Sequence, residues 1–327
     1  MTEKPPLVTV IAVCYNHSRF VIECLESIRA QTYTNVQLII MDDCSSDESV
    51  TLISDWIKLH QIKCEFIAHK VNRGLCRTLN EALTLAQGEF TSLIATDDLW
   101  LPEKTAIQVD ALNNLPSNVG VVYGDSWKIT EEGELLSKPL LESYVKKYGE
   151  LPNGNIYNRL LDGDFIPALN PLVRRNCYQV VGEYDERLAY EDWDMWLRIA
   201  QKFDFHALPA ILTKYRYVST SMTQTILEKR SIEKHRTNFL MFSKHVNNPL
   251  LNKNKQRTIK TRLIKDAEIL YELNAPDRAA LLWKCALLTQ NASLYAISFI
   301  AIFVPYYRLN RALKYIFSKA YKKSRPQ

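Results

Sequence analysis

Residues 7–13 (LVTVIAV) are an uninterrupted run of aliphatic, mostly β-branched side chains. Without polar alternation such a run predicts a strand buried on both faces of a parallel sheet. Over 18–31 the apolar positions become Val21, Cys24, Leu25 and Ile28, a helical spacing that predicts an amphipathic helix packed on that sheet. Residues 36–41 (VQLIIM) repeat the strand pattern, and Ser45-Ser46-Asp47-Glu48 behind them has the spacing of a capping box that opens the next helix. The alternation continues with a strand near 64–68, a helix carrying Leu79, Leu83 and Ala86 that Gly88 stops, and a strand over 90–95. Pro102 then stands where a first helical turn tolerates it. Strands alternating with helices predict an α/β fold, a doubly wound, Rossmann-like, mostly parallel sheet.

Ligands of such sheets sit beyond the carboxyl ends of the strands, and the loops there are polar. They read Cys14-Tyr15-Asn16-His17, Asp42-Asp43-Cys44-Ser45-Ser46, Asn72-Arg73-Gly74 and Thr96-Asp97-Asp98, and all four should converge on one crevice. Past residue 124 the pattern turns irregular, with turn signals at Glu132-Gly133, Pro152-Asn153-Gly154 and Asp162-Gly163. One clear helix over 191–202 and a strand-like stretch to Tyr217 close this part. From 225 onward the composition is helical and contains no glycine. The expected organisation is a catalytic domain over 1–224, with halves at 1–124 and 125–224, and a helical extension over 225–327.

Charge sharpens that division. Residues 1–224 hold 21 Lys and Arg against 30 Asp and Glu, while 225–327 hold 20 against 6. A basic tail behind an acidic body faces an anionic surface, unless it is a solvated basic helix face. Seven scattered cysteines without a C-x-x-C pair suit reduced, mostly buried thiols, and six histidines without an H-x-x-x-H pair give zinc little support. Residues 1–6 are short and polar, so no signal peptide is expected and the domain should stay in the cytosol.

Asp97-Asp98 follows the apolar run 90–95 directly. Hard oxygen ligands there suit Mg2+ or Mn2+ bridging to the phosphates of a nucleoside diphosphate, although a helix-capping turn explains the same pair. Asp42-Asp43 ends a neighbouring strand close to Tyr15. One carboxylate can accept a base N–H while the ring stacks on the base; an ordinary turn with an N-cap is the alternative. Neither G-x-G-x-x-G nor a P-loop occurs, which disfavours dinucleotide dehydrogenases and P-loop NTPases.

The ordered strings VTVIAVCYN, LIIMDDCSSDES, NRGL, GEF, ATDD, VGEYDE and EDWDMWLR, spread over roughly 7–217, resemble the inverting family 2 glycosyltransferases of the GT-A fold, of the kind that builds bacterial surface polysaccharides. The resemblance implies transfer of a sugar from a nucleotide diphosphate, most often UDP, to an acceptor hydroxyl of a glycan, lipid-linked in many cases. It implies that Tyr15 and Asp43 hold the base, Arg73 the nucleotide or its phosphates, Asp97 the ribose or sugar, and Asp98 the metal. Asp192 of Glu191-Asp192 takes the position of the catalytic base, and Arg216 that of a basic residue near the pyrophosphate. The two acids also suit a helix N-terminus for its dipole alone. Trp193 and Trp196 either line the acceptor site or pack the core. The chain departs from the commonest pattern in having Thr96 where a third acid often stands, which bears on the metal geometry.

The apolar stretch 294–304 is about eleven residues long, short of the ~20 a spanning helix needs. Residues 306–323 mix aromatics and leucines with Arg308, Arg311, Lys314, Lys319, Lys322 and Lys323 and hold no acid. That pattern predicts peripheral attachment to the anionic inner face of the cell membrane; a helical hairpin docked on the catalytic domain is the alternative. Nucleic acid is disfavoured as a partner, since the positive charge is confined to the tail. Two other functions remain open: a catalytically inactive, membrane-associated glycan- or nucleotide-binding protein, and a sugar nucleotidyltransferase.

Overall fold

The computed structural model describes residues 5–219, 221, 223–227, 230–303 and 315–320. The predicted alternation is present as β1 (Val8–Cys14), α1 (Val21–Arg29), β2 (Val36–Asp42), α2 (Ser49–His60), β3 (Cys64–Ala68), α3 (Leu75–Leu85) and β4 (Phe90–Ala95). β1 is buried at every position because β2 and β4 flank it, both parallel; β3 extends the sheet in the same sense. α1 turns Val21, Cys24, Leu25 and Ile28 into the core, as their spacing predicts. α3 ends before Gly88, whose requirement is different: a Cβ there would lie 2.5 Å from the Thr9 backbone nitrogen. Only glycine allows so close an approach to β1.

The second stretch comprises β5 (Leu99–Trp100), α4 (Lys104–Asn114), β6 (Val119–Ile129), β7 (Leu135–Pro139), α5 (Glu142–Tyr148), α6 (Tyr157–Leu160), β8 (Leu172–Arg174), α7 (Arg175–Val181), α8 (Asp192–Ile199) and β9 (Asp204–Arg216). The sheet runs β3-β2-β1-β4-β8-β6-β9-β5, with β7 added to β6. β8 lies antiparallel to both β4 and β6, so the sheet, whose longest pairings are parallel, is mixed at this point. Three residues are too few to leave a periodic signal, which hid this reversal. β6 runs through residue 124, so the expected boundary between two halves falls inside a strand of a shared sheet.

The chain divides into two compact units, one of Met1–Glu186 with Tyr190–Val218, the other of Arg187–Ala189 with Ser219–Gln327. The described part of the second unit is helical: α9 (Ile232–Ser243), α10 (Lys253–Glu272), α11 (Arg278–Thr289) and α12 (Ala292–Phe303), with a further helical turn at 315–320. Ser231 and Asn252 cap α9 and α10 by accepting from the backbone N–H three residues on. His235 Nδ1 pairs with Asp266 at 2.7 Å between α9 and α10. α12 takes up most of the apolar stretch 294–304 and packs Tyr295 and Phe299 edge-on against Trp283 of α11. Among the described residues no helix is long and apolar enough to cross a membrane. Most of the basic segment expected over 306–323 lies outside the described residues. All seven cysteines are free thiols, five of them buried.

Candidate active site

The register sets Cys14 beside Asp42 and Val13 beside Ala95, so the loops leaving β2, β1 and β4 emerge side by side. Tyr15 is the first residue beyond β1, and its ring is 48% exposed. Asn16 adopts a left-handed backbone with φ 57°, which asparagine tolerates. Its N–H donates to Ser45 Oγ and its Oδ1 accepts from the Ser46 N–H. The next two N–H groups donate to Ser49 Oγ and Asp47 Oδ2. The first loop is thereby fastened to the second. The expected capping box is not formed: Glu48 makes no side-chain cap, while Asp42 takes the Ser45 N–H and hydroxyl and Asp47 takes the Ser49 N–H. Burial alone would raise the Asp47 carboxyl, but hydrogen bonds from Ser49 and Ser18 outweigh it and bring it to about 2.

Asp43 builds the adjoining wall. Its Oδ1 accepts from the Arg73 N–H and from His69 Nδ1, and its Oδ2 from the Gly74 N–H, all within 2.9 Å. Burial pushes this carboxyl up; the donors pull it further down, and it stays ionised. Oδ2 accepts one bond and retains a lone pair. Arg73 meets Asp43 through its backbone, while its exposed guanidinium pairs with Glu81 at 2.8 Å.

The acidic pair divides in a way the sequence did not reveal. Asp98 turns inward, 5% exposed, and its Oδ1 accepts the Arg216 N–H at 2.8 Å. Burial, then the charge of Asp97, pushes its carboxyl well up. Asp97 is the member that reaches the crevice, with Oδ2 3.8 Å from His17 Nε2. Arg216, expected near the pyrophosphate, is drawn into the fold instead. It is 2% exposed, and its guanidinium is held on every side: Nε on the Asp97 carbonyl, Nη1 on the Thr130 and Glu131 carbonyls, Nη2 on Glu23 at 2.6 Å. It also lies over the Phe20 ring. Four of its five N–H donors are thus taken inside the fold.

Opposite stands a second group of acids. Glu191 and Asp192, both half-buried, begin α8, and Asp192 Oδ1 accepts the Trp193 N–H. Burial, then the charge of Asp192, raises Glu191 to about 8; burial raises Asp192 to about 6. Both carboxyls are thus held above the ordinary carboxylate range, Glu191 the further of the two. Asp164, missed in the sequence because it lies in a turn-rich stretch, joins them. The residue as a whole is exposed, yet desolvation of its carboxyl and then the charge of Asp192 push it well up. The same acids act on Cys76 in the first turn of α3, whose thiol rises to about 12, first by burial and then by Glu191 and its neighbours. α8 thus opens toward the end of α3 that follows Gly74, whose N–H holds Asp43. Trp196 is core, 2% exposed, whereas Trp193 is half-buried with Nε1 on the Leu160 carbonyl. Among the described residues, no group of three His, Cys, Asp or Glu is arranged to hold a metal ion.

The sequence profile of glycosyl transferase family 2 matches residues 9–164. An uncharacterized glycosyltransferase of Rickettsia felis is 29% identical over 224 residues, covering 68% of this chain and 36% of that protein. The chain thus spans about a third of that relative's length. The Escherichia coli UDP-Glc:alpha-D-GlcNAc-diphosphoundecaprenol beta-1,3-glucosyltransferase WfgD is 24% identical, covering 66% of this chain and 79% of the relative. Among solved structures, the mannosyltransferase PcManGT of Pyrobaculum calidifontis, in complex with GDP-Man and Mn2+, superposes with a TM-score of 0.59 at 18% identity, covering 98% and 88% of the two chains. TarS 1-349 of S. aureus in complex with UDP gives 0.61 at 13% identity, covering 97% and 89%. At these identities the likeness is one of fold, the GT-A glycosyltransferase fold with a helical C-terminal region.

Proposed function

We propose that this chain, which belongs to glycosyl transferase family 2, moves a sugar from a nucleoside diphosphate donor, UDP-linked in the first instance, to a hydroxyl of a glycan acceptor with inversion. The observation that carries this is the placement of the exposed Tyr15 ring and the crevice-facing Asp97 at the ends of adjacent parallel strands. That placement suits a nucleoside diphosphate lying across the two strand ends. Tyr15 stacks on the base, and the free lone pair of Asp43 Oδ2 accepts its N–H. Arg73 borders this wall, and its guanidinium reaches the phosphates only by leaving Glu81.

A divalent cation, Mn2+ or Mg2+, fits the donor set as a partner shared with the substrate, because Asp97 offers a hard carboxylate while the diphosphate supplies most other ligands. When bound, the cation offsets the charge that develops on the departing diphosphate. Asp98 is left to hold the turn, its Oδ1 being taken by Arg216. Asp192 accepts the proton of the attacking hydroxyl as the acceptor oxygen bonds to the anomeric carbon and the carbon–oxygen bond to the diphosphate breaks. No covalent intermediate is needed.

Base stacking contributes about 1–3 kcal/mol. Tyr15→Ala should therefore weaken UDP binding by roughly 5- to 150-fold in calorimetry while Tyr15→Phe stays near the parent. Equal affinity in all three proteins would remove Tyr15 from the donor site.

WfgD's name describes an acceptor on diphosphoundecaprenol, and a lipid-linked acceptor is proposed here as well, in surface polysaccharide synthesis. The excess of Lys and Arg beyond residue 225 suits peripheral attachment to the anionic inner face of the membrane. Full-length protein should cosediment with phosphatidylglycerol vesicles at low salt, be released by about 0.5 M salt, and ignore phosphatidylcholine vesicles. Equal binding to both lipids would exclude an electrostatic anchor.

A further inference from the structure

We propose that His17 is a nitrogen ligand of the donor-site cation, which makes this site selective for Mn2+ over Mg2+. The inference rests on the transferase reading above and adds a ligand to it. The position where a third acid often stands is Thr96, and the residue before it is Ala95; Asp98 is turned into the core. That leaves Asp97 as the carboxylate of this loop that reaches the crevice, a meagre protein share for a cation. His17 supplies what is missing. Its Nε2 stands 3.8 Å from Asp97 Oδ2, and the two side chains are 22% and 13% exposed. The separation is longer than a hydrogen bond and near the roughly 3 Å between neighbouring ligands of an octahedral cation.

The ring is also held as a ligand would be. Nδ1 lies 2.9 Å from Thr96 Oγ1, an oxygen that can accept the ring N–H and leave Nε2 with its lone pair. The backbone on each side is fixed by Asn16 on Ser45, His17 on Ser49 and Ser18 on Asp47. Thr96 is held in turn by its N–H on the Val13 carbonyl at 2.9 Å. Thr96 thereby replaces an acid by orienting a histidine. Imidazole binds Mn2+ and later transition metals, whereas Mg2+ prefers oxygen and water.

The test uses full-length protein with Mn2+ and saturating UDP, without sugar, so that nothing turns over. Pulsed electron paramagnetic resonance should show a directly bound histidine nitrogen on Mn2+, which changes to the 15N pattern in protein labelled with 15N-histidine. His17→Gln should lose that coupling with an unchanged melting temperature, and its preference for Mn2+ over Mg2+ in competition titrations should fall by about tenfold or more. Mn2+ held with UDP but lacking histidine coupling would overturn the inference and leave the transferase reading standing. Coupling that persists in His17→Gln would overturn it as well. Failure of UDP to retain Mn2+ at all would overturn the donor site together with it.

Discussion

Asp192→Asn should lower kcat by about 10²–10⁴-fold, the range of general-base contributions, while the donor KM moves little. Asn keeps the shape and still accepts the Trp193 N–H but cannot take the acceptor's proton. The pH dependence follows from the environment of the side chain. Burial raises the carboxyl from 3.8 to about 6, and the working form is the ionised one. kcat/KM of the parent should therefore fall as the pH drops through about 6. Stability runs the other way. Acids whose folded values are raised stabilise the fold below their unfolded values and lose that contribution as pH rises through the folded ones. For Asp192 and Glu191, which reaches about 8, the loss covers the window from about 4 to about 8. Asp192→Asn should flatten this decline in a series of melting temperatures. A variant with parental kcat on a genuine acceptor would remove Asp192 as the base.

Arg216→Met should destabilise the first unit by about 3–5 kcal/mol, because it strands the partly buried carbonyls of Asp97, Thr130 and Glu131 and the Glu23 carboxylate that the guanidinium now satisfies. At 2–4 °C per kcal/mol for a unit of this size, the melting temperature drops by roughly 10 °C. Arg216→Lys should recover little, since one ammonium cannot reach three carbonyls and Glu23 together. An Arg216→Lys variant that melts like the parent but binds UDP poorly would restore the phosphate role the sequence suggests.

Arg216 shows where the sequence ceases to be legible. β1, β2 and β4 could be read because each is a continuous apolar run whose order fixes which loops share one end of a sheet. The placing of Tyr15 and Asp97 at neighbouring strand ends followed from that order. The partner of Arg216, Glu23, lies 193 residues away, and nothing local announces it. Which of Asp97 and Asp98 faces the crevice is decided by the turn in which the Asp98 N–H donates to the Ala95 carbonyl, a choice invisible in two identical letters. β8 is too short for periodicity. Asp164 is an acid in a turn until α8 brings Asp192 to it.

The strand-end crevice is proposed to use a nucleoside diphosphate sugar. Purified protein with Mn2+, a glycan acceptor and a panel of UDP, GDP and dTDP sugars should release a nucleoside diphosphate from one donor class, UDP sugars first, faster with acceptor than without. Release should stop on removal of the metal. Pyrophosphate formed from a nucleoside triphosphate and a sugar phosphate, with no diphosphate from any sugar donor, would contradict it.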